Sequence, residues 1–423
     1  MLPRSTSVRP DGPSRPAVQA PDLSRASGVR WDYLDQLRAI LMLAGIPYHV
    51  GLVYASHATW IVASPDKSEA VTWIIQFSHT FRMPAFFLIA GLFAMLLVCR
   101  RGPGTWLKGR FQRLGVPLVT SLLVISPLMV MASAVASGGV SNALPGLVET
   151  ARNLSDTWTV HLWFLIYLLL YCGAFAMLWR IVGARRIEEG NHAVQRWVAR
   201  NPMLPWLGLL FAGLTALATA VAAKFFDAMY LFGGILLPAQ LAADGIVFLV
   251  GALIASRPAW VDGFSRPRWP SWGLAFASAF AMAYFQEKGD DFSRALTFFL
   301  MPVVGILFSH VLLSAARKWL DRRNRLSNAM VEAAMTIYLV HVAIVLWLSV
   351  AFLEVSWPAE LEIALIVVLS AAASYAFHCL VRSSPVLTFL FNGTWEVRGG
   401  MTASAAPRHV PARVLETARR IEE

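Results

Sequence analysis

Ten apolar runs separated by short polar links dominate this sequence and restrict the folds open to it. The runs lie near 32–55, 71–98, 114–136, 158–179, 204–223, 231–255, 271–286, 294–316, 329–352 and 361–381. About 20 apolar residues cross a bilayer as a helix, and lipid accepts only helices and closed barrels. Because 57% of the residues are hydrophobic and 14% charged, the chain is predicted to be an all-α, polytopic membrane bundle of about ten transmembrane helices.

Lysine and arginine residues alternate between the links in a way that predicts the orientation of the helices. The N-terminal segment, every second link and the segment after residue 381 carry 29 of them, whereas the intervening links carry only Lys67, Arg152, Lys224 and Lys288. Basic residues are retained on the cytoplasmic side of a membrane, so both termini are predicted to be cytoplasmic. The same pattern accounts for the net charge of +11, and no nucleic-acid partner is expected.

The short links predict one membrane domain with a tail at each end. Residues 1–29 contain five prolines, five serines and no apolar stretch, which is typical of a disordered tail and not of a signal peptide. The predicted organisation is a cytoplasmic tail over 1–29, a ten-helix domain over 30–390 and a cytoplasmic tail over 391–423. No cysteine has a partner at C-x-x-C spacing, and no metal site is predicted.

Three polar residues in the first apolar run share one helical face. Arg38 and His49 are eleven residues apart, which returns them to within about 20° around an ideal helix and separates them by about 16 Å along it. Asp35 lies on the same side. Ionisable residues inside a membrane are costly and indicate function by default, so this stripe predicts a polar path with two mouths. The alternative is an Asp35–Arg38 ion pair and a hydrogen-bonded, structural His49.

The second run carries His79 and Arg82 one helical turn apart, at a depth comparable with that of His49. A guanidinium at this depth could hold a carbonyl, carboxylate or phosphate by two hydrogen bonds. The alternative is that Arg82 is a structural partner of Asp244, which lies near the middle of the sixth run.

Further candidates lie in the fourth and ninth runs. His161 is at the outer end of its run among tryptophans, where aromatic residues are ordinary. Glu332 and His341 are nine residues apart, on opposite sides of an ideal helix. They are therefore not expected to line the same wall of one cavity.

The link before the third run places Arg110 and Arg113 one turn apart beside a Gly-Pro-Gly sequence. The positive-inside rule explains the number of charges in this link but not their shared face. A ligand with phosphate groups on the cytoplasmic side would explain it.

These residues together resemble the membrane acyltransferase family 3. The resemblance covers roughly residues 30–398 in five short motifs: Arg38 followed eleven residues later by His49, Phe86–Gly91 with Ala90 in place of the usual serine, Arg110-Phe-Gln-Arg113, His161-Leu-Trp163-Phe-Leu and Tyr338-Leu-Val-His341. The sequence around the first two motifs is similar to that of the branch of the family that acts on periplasmic glucans.

The resemblance implies an enzyme of the bacterial inner membrane. It would transfer an acyl group, such as succinyl or acetyl, from a cytoplasmic acyl-coenzyme A to a hydroxyl of an extracytoplasmic glycan. Acyl-coenzyme A would be a co-substrate, and no bound cofactor is expected. A multi-pass transporter with a path lined by histidine and arginine is the main alternative, and a membrane scaffold without enzymatic activity is a third.

Each polar residue then has an expected role. His49 is predicted to be the general base that activates the hydroxyl, and Arg38, Arg110 and Arg113 are expected to bind the donor. The candidates for stabilising the oxyanion or binding the acceptor are His79, Arg82, His161 and His341. Asp35, Asp244 and Glu332 are expected to be structural polar partners.

Overall fold

A computed structural model of the protein describes residues 32–395, apart from 57–59, 154, 184–188, 191–192, 195, 198–199, 202, 321, 323 and 356. The predicted tail over 1–29 and most of that over 391–423 lie outside the described residues. The helices are α1 (Asp32–Leu43), α2 (Gly45–Tyr54), α3 (Glu69–Arg101), α4 (Pro103–Arg110), α5 (Val116–Gly138), α6 (Ala143–Arg152), α7 (Asp156–Thr159), α8 (Trp163–Val182), α9 (Leu204–Phe225), α10 (Pro238–Ala255), α11 (Pro258–Phe264), α12 (Trp269–Lys288), α13 (Asp291–Trp319), α14 (Arg325–Phe352), α15 (Ala359–Arg382) and α16 (Pro385–Asn392).

The described part of the chain confirms the all-α membrane bundle. Nine helical segments within it are long and apolar enough to cross a membrane, with α1 and α2 counted as one segment and α4 and α5 as another. The predicted span at 271–286 corresponds to α12, whose 20 residues measure about 30 Å. This helix packs along α13. Trp269 and Pro270 at one end and Glu287 and Lys288 at the other make it less apolar than the nine.

The first span is interrupted between α1 and α2, at Ala44. Pro47 has no N–H to donate to the Leu43 carbonyl, so the helix loses a hydrogen bond at this point. The interruption lies five residues before His49. It divides the polar stripe, with Arg38 on α1 and His49 on α2.

Two other spans begin later than their apolar runs. The sixth run was predicted from residue 231, but α10 begins at Pro238, after a tight turn that includes Gly234 at φ 90°. The fourth was predicted from residue 158, but α7 ends at Thr159 and α8 begins at Trp163. Between them Val160 has φ 42°, a strained conformation for a β-branched residue. Both segments are irregular backbone at one end of the bundle.

A five-residue π-helical segment, Phe111–Gly115, joins α4 to α5. A π-helical turn contains about one residue more than an α-helical turn, and this changes the direction of the neighbouring side chains. Such segments are frequent at functional sites. Arg110 ends α4 and Arg113 lies within the π segment. Their shared face therefore belongs to a distorted helix and not to an ideal one.

The crossing of α3 and α10 depends on two glycines. A Cβ on Gly91 would overlap the Phe248 carbonyl, and one on Gly251 would overlap the Leu88 carbonyl. Small residues allow membrane helices to approach this closely. The crossing sets the position of α3, the helix that carries His79 and Arg82.

Gly251→Ala is therefore expected to destabilise the fold. The added methyl group meets a backbone carbonyl, which cannot rotate away, so we expect a loss at or above the upper end of the usual cost of overpacking, about 1–3 kcal/mol. Thermal unfolding of the detergent-solubilised protein measures this loss. Gly273→Ala in α12 is the matched control, because a Cβ there meets nothing within 4 Å. Equal stability of the two variants would contradict the role given to this crossing.

Candidate functional site

A cavity of about 370 Å³ lies between α2, α3, α8 and α14, and we call it the histidine cavity. Four of the histidines singled out in the sequence face it together with an arginine. Its polar lining consists of Tyr48, His49, His79, Arg82, His161, Tyr338 and His341. The structure thus brings together candidates that are up to about 290 residues apart in the chain, from α2 to α14.

His49 is at the centre of the aromatic contacts in this cavity. It is 9% exposed, and its ring centroid lies 5.2 Å from that of His341 and 6.0 Å from that of His161. The indole of Trp60 stacks on its imidazole at 5.5 Å and 24°. His49 Nδ1 is buried and has no hydrogen-bond partner within the described residues. Since buried polar atoms are normally satisfied, this atom is available to water or a ligand.

The hydrogen bonds of His341 assign its tautomer. Its Nδ1 lies 2.9 Å from the Tyr338 carbonyl oxygen and 3.1 Å from that of Ile337. A carbonyl only accepts, so Nδ1 carries the proton and donates it. In the neutral ring, Nε2 therefore has a lone pair. That atom is buried and has no partner in the part of the chain that the structure describes. This arrangement suits a base better than the oxyanion donor expected from the sequence.

Arg82 is held in the cavity by Tyr48. Its guanidinium carbon lies 4.0 Å from the centre of the Tyr48 ring, a cation–π contact, and the Tyr48 hydroxyl is 3.0 Å from Nδ1 of His79. Arg82 Nε is buried and makes no hydrogen bond to any described residue. No ion pair joins Arg82 to Asp244 among the described residues, so the structural pairing considered from the sequence is absent there.

Gly45 allows Arg82 and His341 to approach each other. A Cβ on this residue would lie 2.9 Å from His341 Nε2 and 3.5 Å from a terminal nitrogen of Arg82. Gly45 begins α2 directly after the interruption at Ala44, and its lack of a side chain leaves this space open.

Val160 directs His161 into the cavity. Residues 160–162 form the turn between α7 and α8, and the positive φ of Val160 places His161 inside the bundle, 5% exposed. The Tyr338 hydroxyl donates a hydrogen bond of 2.6 Å to the His161 carbonyl. His161 is therefore a buried residue of the site, whereas its sequence position favoured an interfacial one.

A second cavity of about 500 Å³, the arginine cavity, lies toward the opposite end of α3. It contains all three residues predicted to bind the donor, Arg38, Arg110 and Arg113, together with Arg382. Its charged and polar lining also includes Asp35, Glu332, His378 and Asn392.

Two carboxylates offset part of the positive charge in the arginine cavity. Asp35 lies 3.6 Å from Arg38, and Glu332 lies 3.5 Å from Arg382. Arg110 and Arg113 have no such partner among the described residues. The cavity therefore has an excess of positive charge, which suits an anion with several phosphate groups. As expected, Glu332 and His341 line different cavities.

Three apolar side chains separate the two cavities. Met42, Phe86 and Phe164 line both of them. Along α3 the lining continues from His79 to Phe93, a distance of about 21 Å on an ideal helix. The single path predicted from the Arg38–His49 stripe is thus two chambers with a thin apolar partition.

Some residues of the site were not singled out in the sequence. His378 is ionisable and lies within a span, so the criterion that selected His341 also applies to it. Trp60 could not be singled out from the sequence, because a tryptophan in an outer link is ordinary.

Asp244 lies outside both cavities. No group of three or more histidine, cysteine, aspartate or glutamate side chains in the described ranges is arranged to hold a metal ion.

Comparison with known proteins supports the family resemblance. Residues 31–379 match the model of a family described as an acyltransferase domain. The chain is 28% identical over 375 residues to glucans biosynthesis protein C of Escherichia coli O1:K1 / APEC, which covers 85% of this chain and 94% of the relative. The proteins of that name from E. coli strain K12 and strain E24377A show the same identity and coverage. No solved structure matches the chain.

Proposed function

This chain belongs to the acyltransferase family whose domain it carries over residues 31–379, and on that basis we propose that it moves an acyl group from coenzyme A to a hydroxyl of an extracytoplasmic glycan. The observation that carries the proposal is the pair of chambers, one rich in arginine and the other in histidine, separated by three side chains. The name of the relatives, glucans biosynthesis protein C, supports a glycan acceptor.

The arginine cavity is the proposed donor site. Coenzyme A carries phosphate groups, and guanidinium groups bind phosphate by paired, charge-assisted hydrogen bonds. The basic links lie at this end of the helices, and the positive-inside rule predicts that it faces the cytoplasm, where coenzyme A is found. In this proposal Arg110 and Arg113 hold the phosphates, and Arg38 contacts the donor deeper in the cavity.

The histidine cavity is the proposed site of transfer. His49 removes the proton of the acceptor hydroxyl as its oxygen attacks the thioester carbonyl. A carbon–oxygen bond forms, the carbon–sulfur bond breaks, and the thiolate leaves and is protonated. The negative charge that develops on the carbonyl oxygen needs a donor. Arg82 is suited to that role, because its Nε has no partner in the described part of the chain.

His341 has a second role in this proposal, beside His49. Its Nε2 lone pair faces the cavity with its orientation set by the helix backbone. Since the two rings are 5.2 Å apart, His341 can accept the proton from His49 or position it. His341→Gln retains a polar side chain of similar length but no titratable nitrogen. We expect it to lower kcat and to change the pH profile, whereas an unchanged profile would remove His341 from proton transfer.

Reconstitution tests the function directly. The purified protein is placed in liposomes with labelled acyl-coenzyme A on one side and a membrane-impermeant glucan on the other. We expect a base-labile ester on the glucan that requires both substrates and the protein. Movement of unmodified substrate across the membrane without ester formation would support a transporter and contradict the proposal.

Arg113→Ala is expected to weaken donor binding. Loss of a hydrogen bond to a charged group costs about 1.5–3 kcal/mol when buried. Because Arg113 is exposed, we expect the lower part of that range, about a 10-fold rise in the KM for acyl-coenzyme A with little change in kcat. Arg101→Ala is the matched control, since it removes a basic residue from the same link outside the cavity lining. An unchanged donor KM in Arg113→Ala would contradict the phosphate role.

A further inference from the structure

A third cavity opens beside the histidine cavity at the end of the bundle away from the arginines. Its volume is about 510 Å³, and we call it the outer vestibule. It shares Trp60, Val160 and Trp163 with the histidine cavity. A ligand in the vestibule would therefore lie directly beside the histidines.

The irregular backbone described above builds this vestibule. One wall is α7 with the strained Val160, and the other is the turn that contains Gly234. The two are joined by a hydrogen bond of 3.0 Å from the Asp156 N–H to the Gly233 carbonyl. A Cβ on Gly234 would lie 3.3 Å from the Asp156 carboxylate, so glycine leaves room for that side chain.

The lining combines flat aromatic faces with hydrogen-bonding groups. Trp60 and Trp163 provide indole rings, and Asp156, Gln240 and Thr157 provide polar atoms. The Tyr167 hydroxyl accepts from the Leu237 N–H at 2.8 Å, which leaves its own proton free to donate. A few convergent polar groups in a mainly apolar pocket are typical of small-molecule sites of about 300–1,000 Å³.

A sugar ring has the complementary chemistry. Its C–H faces are apolar and pack against aromatic rings, whereas its hydroxyl groups point outward from its rim and need hydrogen-bond partners. A purely apolar ligand would cover the exposed Asp156 carboxylate and the half-buried Gln240 side chain without offering them hydrogen bonds, at a cost. An anionic ligand would be opposed by the Asp156 carboxylate. The vestibule therefore favours a neutral sugar.

We propose that the outer vestibule is the acceptor subsite, in which a neutral hexose unit of the glycan stacks on Trp60 and Trp163 and hydrogen-bonds to Asp156 and Gln240. The inference rests on the proposed function and adds the place and the mode of acceptor binding. Trp60 lies between the proposed acceptor subsite and the proposed base, because the same indole stacks on His49 at 5.5 Å. A sugar seated on Trp60 presents a hydroxyl at the entrance to the histidine cavity.

Calorimetric titration of the detergent-solubilised full chain with a short, linear glucan oligosaccharide tests the subsite. We expect Asp156→Asn and Gln240→Ala each to weaken glucan binding by roughly 5-fold, as for loss of one ordinary hydrogen bond. Trp163→Ala is expected to weaken it further by removing a stacking face. Coenzyme A binding, measured on the same samples, is expected to stay unchanged in Asp156→Asn and Gln240→Ala and reports that these variants are folded.

Glu149→Gln is the matched control, because it neutralises an acid on α6 outside the vestibule. Wild-type affinity for the glucan in all three vestibule variants would overturn the subsite, as would an absence of glucan binding by a wild-type protein that binds coenzyme A. Failure of the proposed function gives a different result. In that case the glucan binds through Asp156 and Gln240, but reconstituted protein forms no ester.

Discussion

Replacement of His49 by alanine is expected to reduce acyl transfer by about 10²–10⁴-fold, the usual contribution of a general base. A sugar hydroxyl is a weak nucleophile, and His49 is the imidazole that contacts the acceptor-side Trp60 as well as His341 and His161. The measurement is kcat for ester formation in proteoliposomes at saturating donor and acceptor. The KM for acyl-coenzyme A is expected to change little, because the proposed phosphate site is in the arginine cavity.

The matched control for this variant is His310→Ala. His310 is also a buried histidine in a span, 7% exposed, but its Nδ1 lies 2.6 Å from the Phe264 carbonyl and it lines neither cavity. It is expected to lose stability and to keep kcat per folded molecule. If His49→Ala retained wild-type kcat, the base would have to be another residue of the cavity. His341 would then be the first candidate, because its Nε2 lone pair faces the cavity.

Replacement of Arg82 by glutamine is expected to lower kcat by about 10²–10³-fold, the usual cost of removing one oxyanion donor. The charge on the carbonyl oxygen develops only in the transition state, so the effect is expected in kcat and not in the KM of either substrate. Arg82→Lys keeps the positive charge but loses the planar group that stacks on Tyr48 and offers several donors. It is expected to recover only part of the activity.

The control for Arg82 is Arg317→Gln. Arg317 forms an ion pair of 2.8 Å with Asp262 at the surface of the bundle, and such pairs contribute about 0–1 kcal/mol to stability. Its loss is therefore expected to leave transfer unchanged. A rise in donor KM without loss of kcat in Arg82→Gln would show that Arg82 binds the ground state, and it would contradict the role as an oxyanion donor.

The membrane fold could be predicted from hydropathy and charge, because a bilayer permits few alternatives to a spanning helix. The features that could not be predicted are the places where irregular backbone sets the direction of the chain. The run of apolar residues at 158–179 continues through Val160, so nothing in its hydropathy marks the turn that buries His161. Likewise, residues 231–237 are apolar and glycine-rich, and only the structure shows that they form the wall of the vestibule.

Ionisable residues within spans were a useful but incomplete guide to the site. The criterion selected His79, Arg82 and His341, which share one cavity. It applies equally to His310 and to Glu362, which accepts a hydrogen bond of 2.8 Å from Tyr54 and lines neither chamber. Sequence spacing cannot distinguish the two groups, because both are buried and polar. What distinguishes them is whether they face a shared cavity, and that depends on residues distant in the chain.

The apolar partition formed by Met42, Phe86 and Phe164 has a consequence for the membrane as an electrical insulator. Two water-filled chambers that met in the middle of the bilayer would conduct protons. Each charge that crosses the membrane releases about 2.3 kcal/mol per 100 mV of membrane potential. Phe86 and Phe164 are buried, and Met42 has the flexible side chain of methionine. In the proposed reaction the acyl group has to pass this partition, and Met42 is its most flexible member. In the proposed reaction, donor and acceptor would thus meet from opposite sides of the membrane while the partition limits the passage of ions.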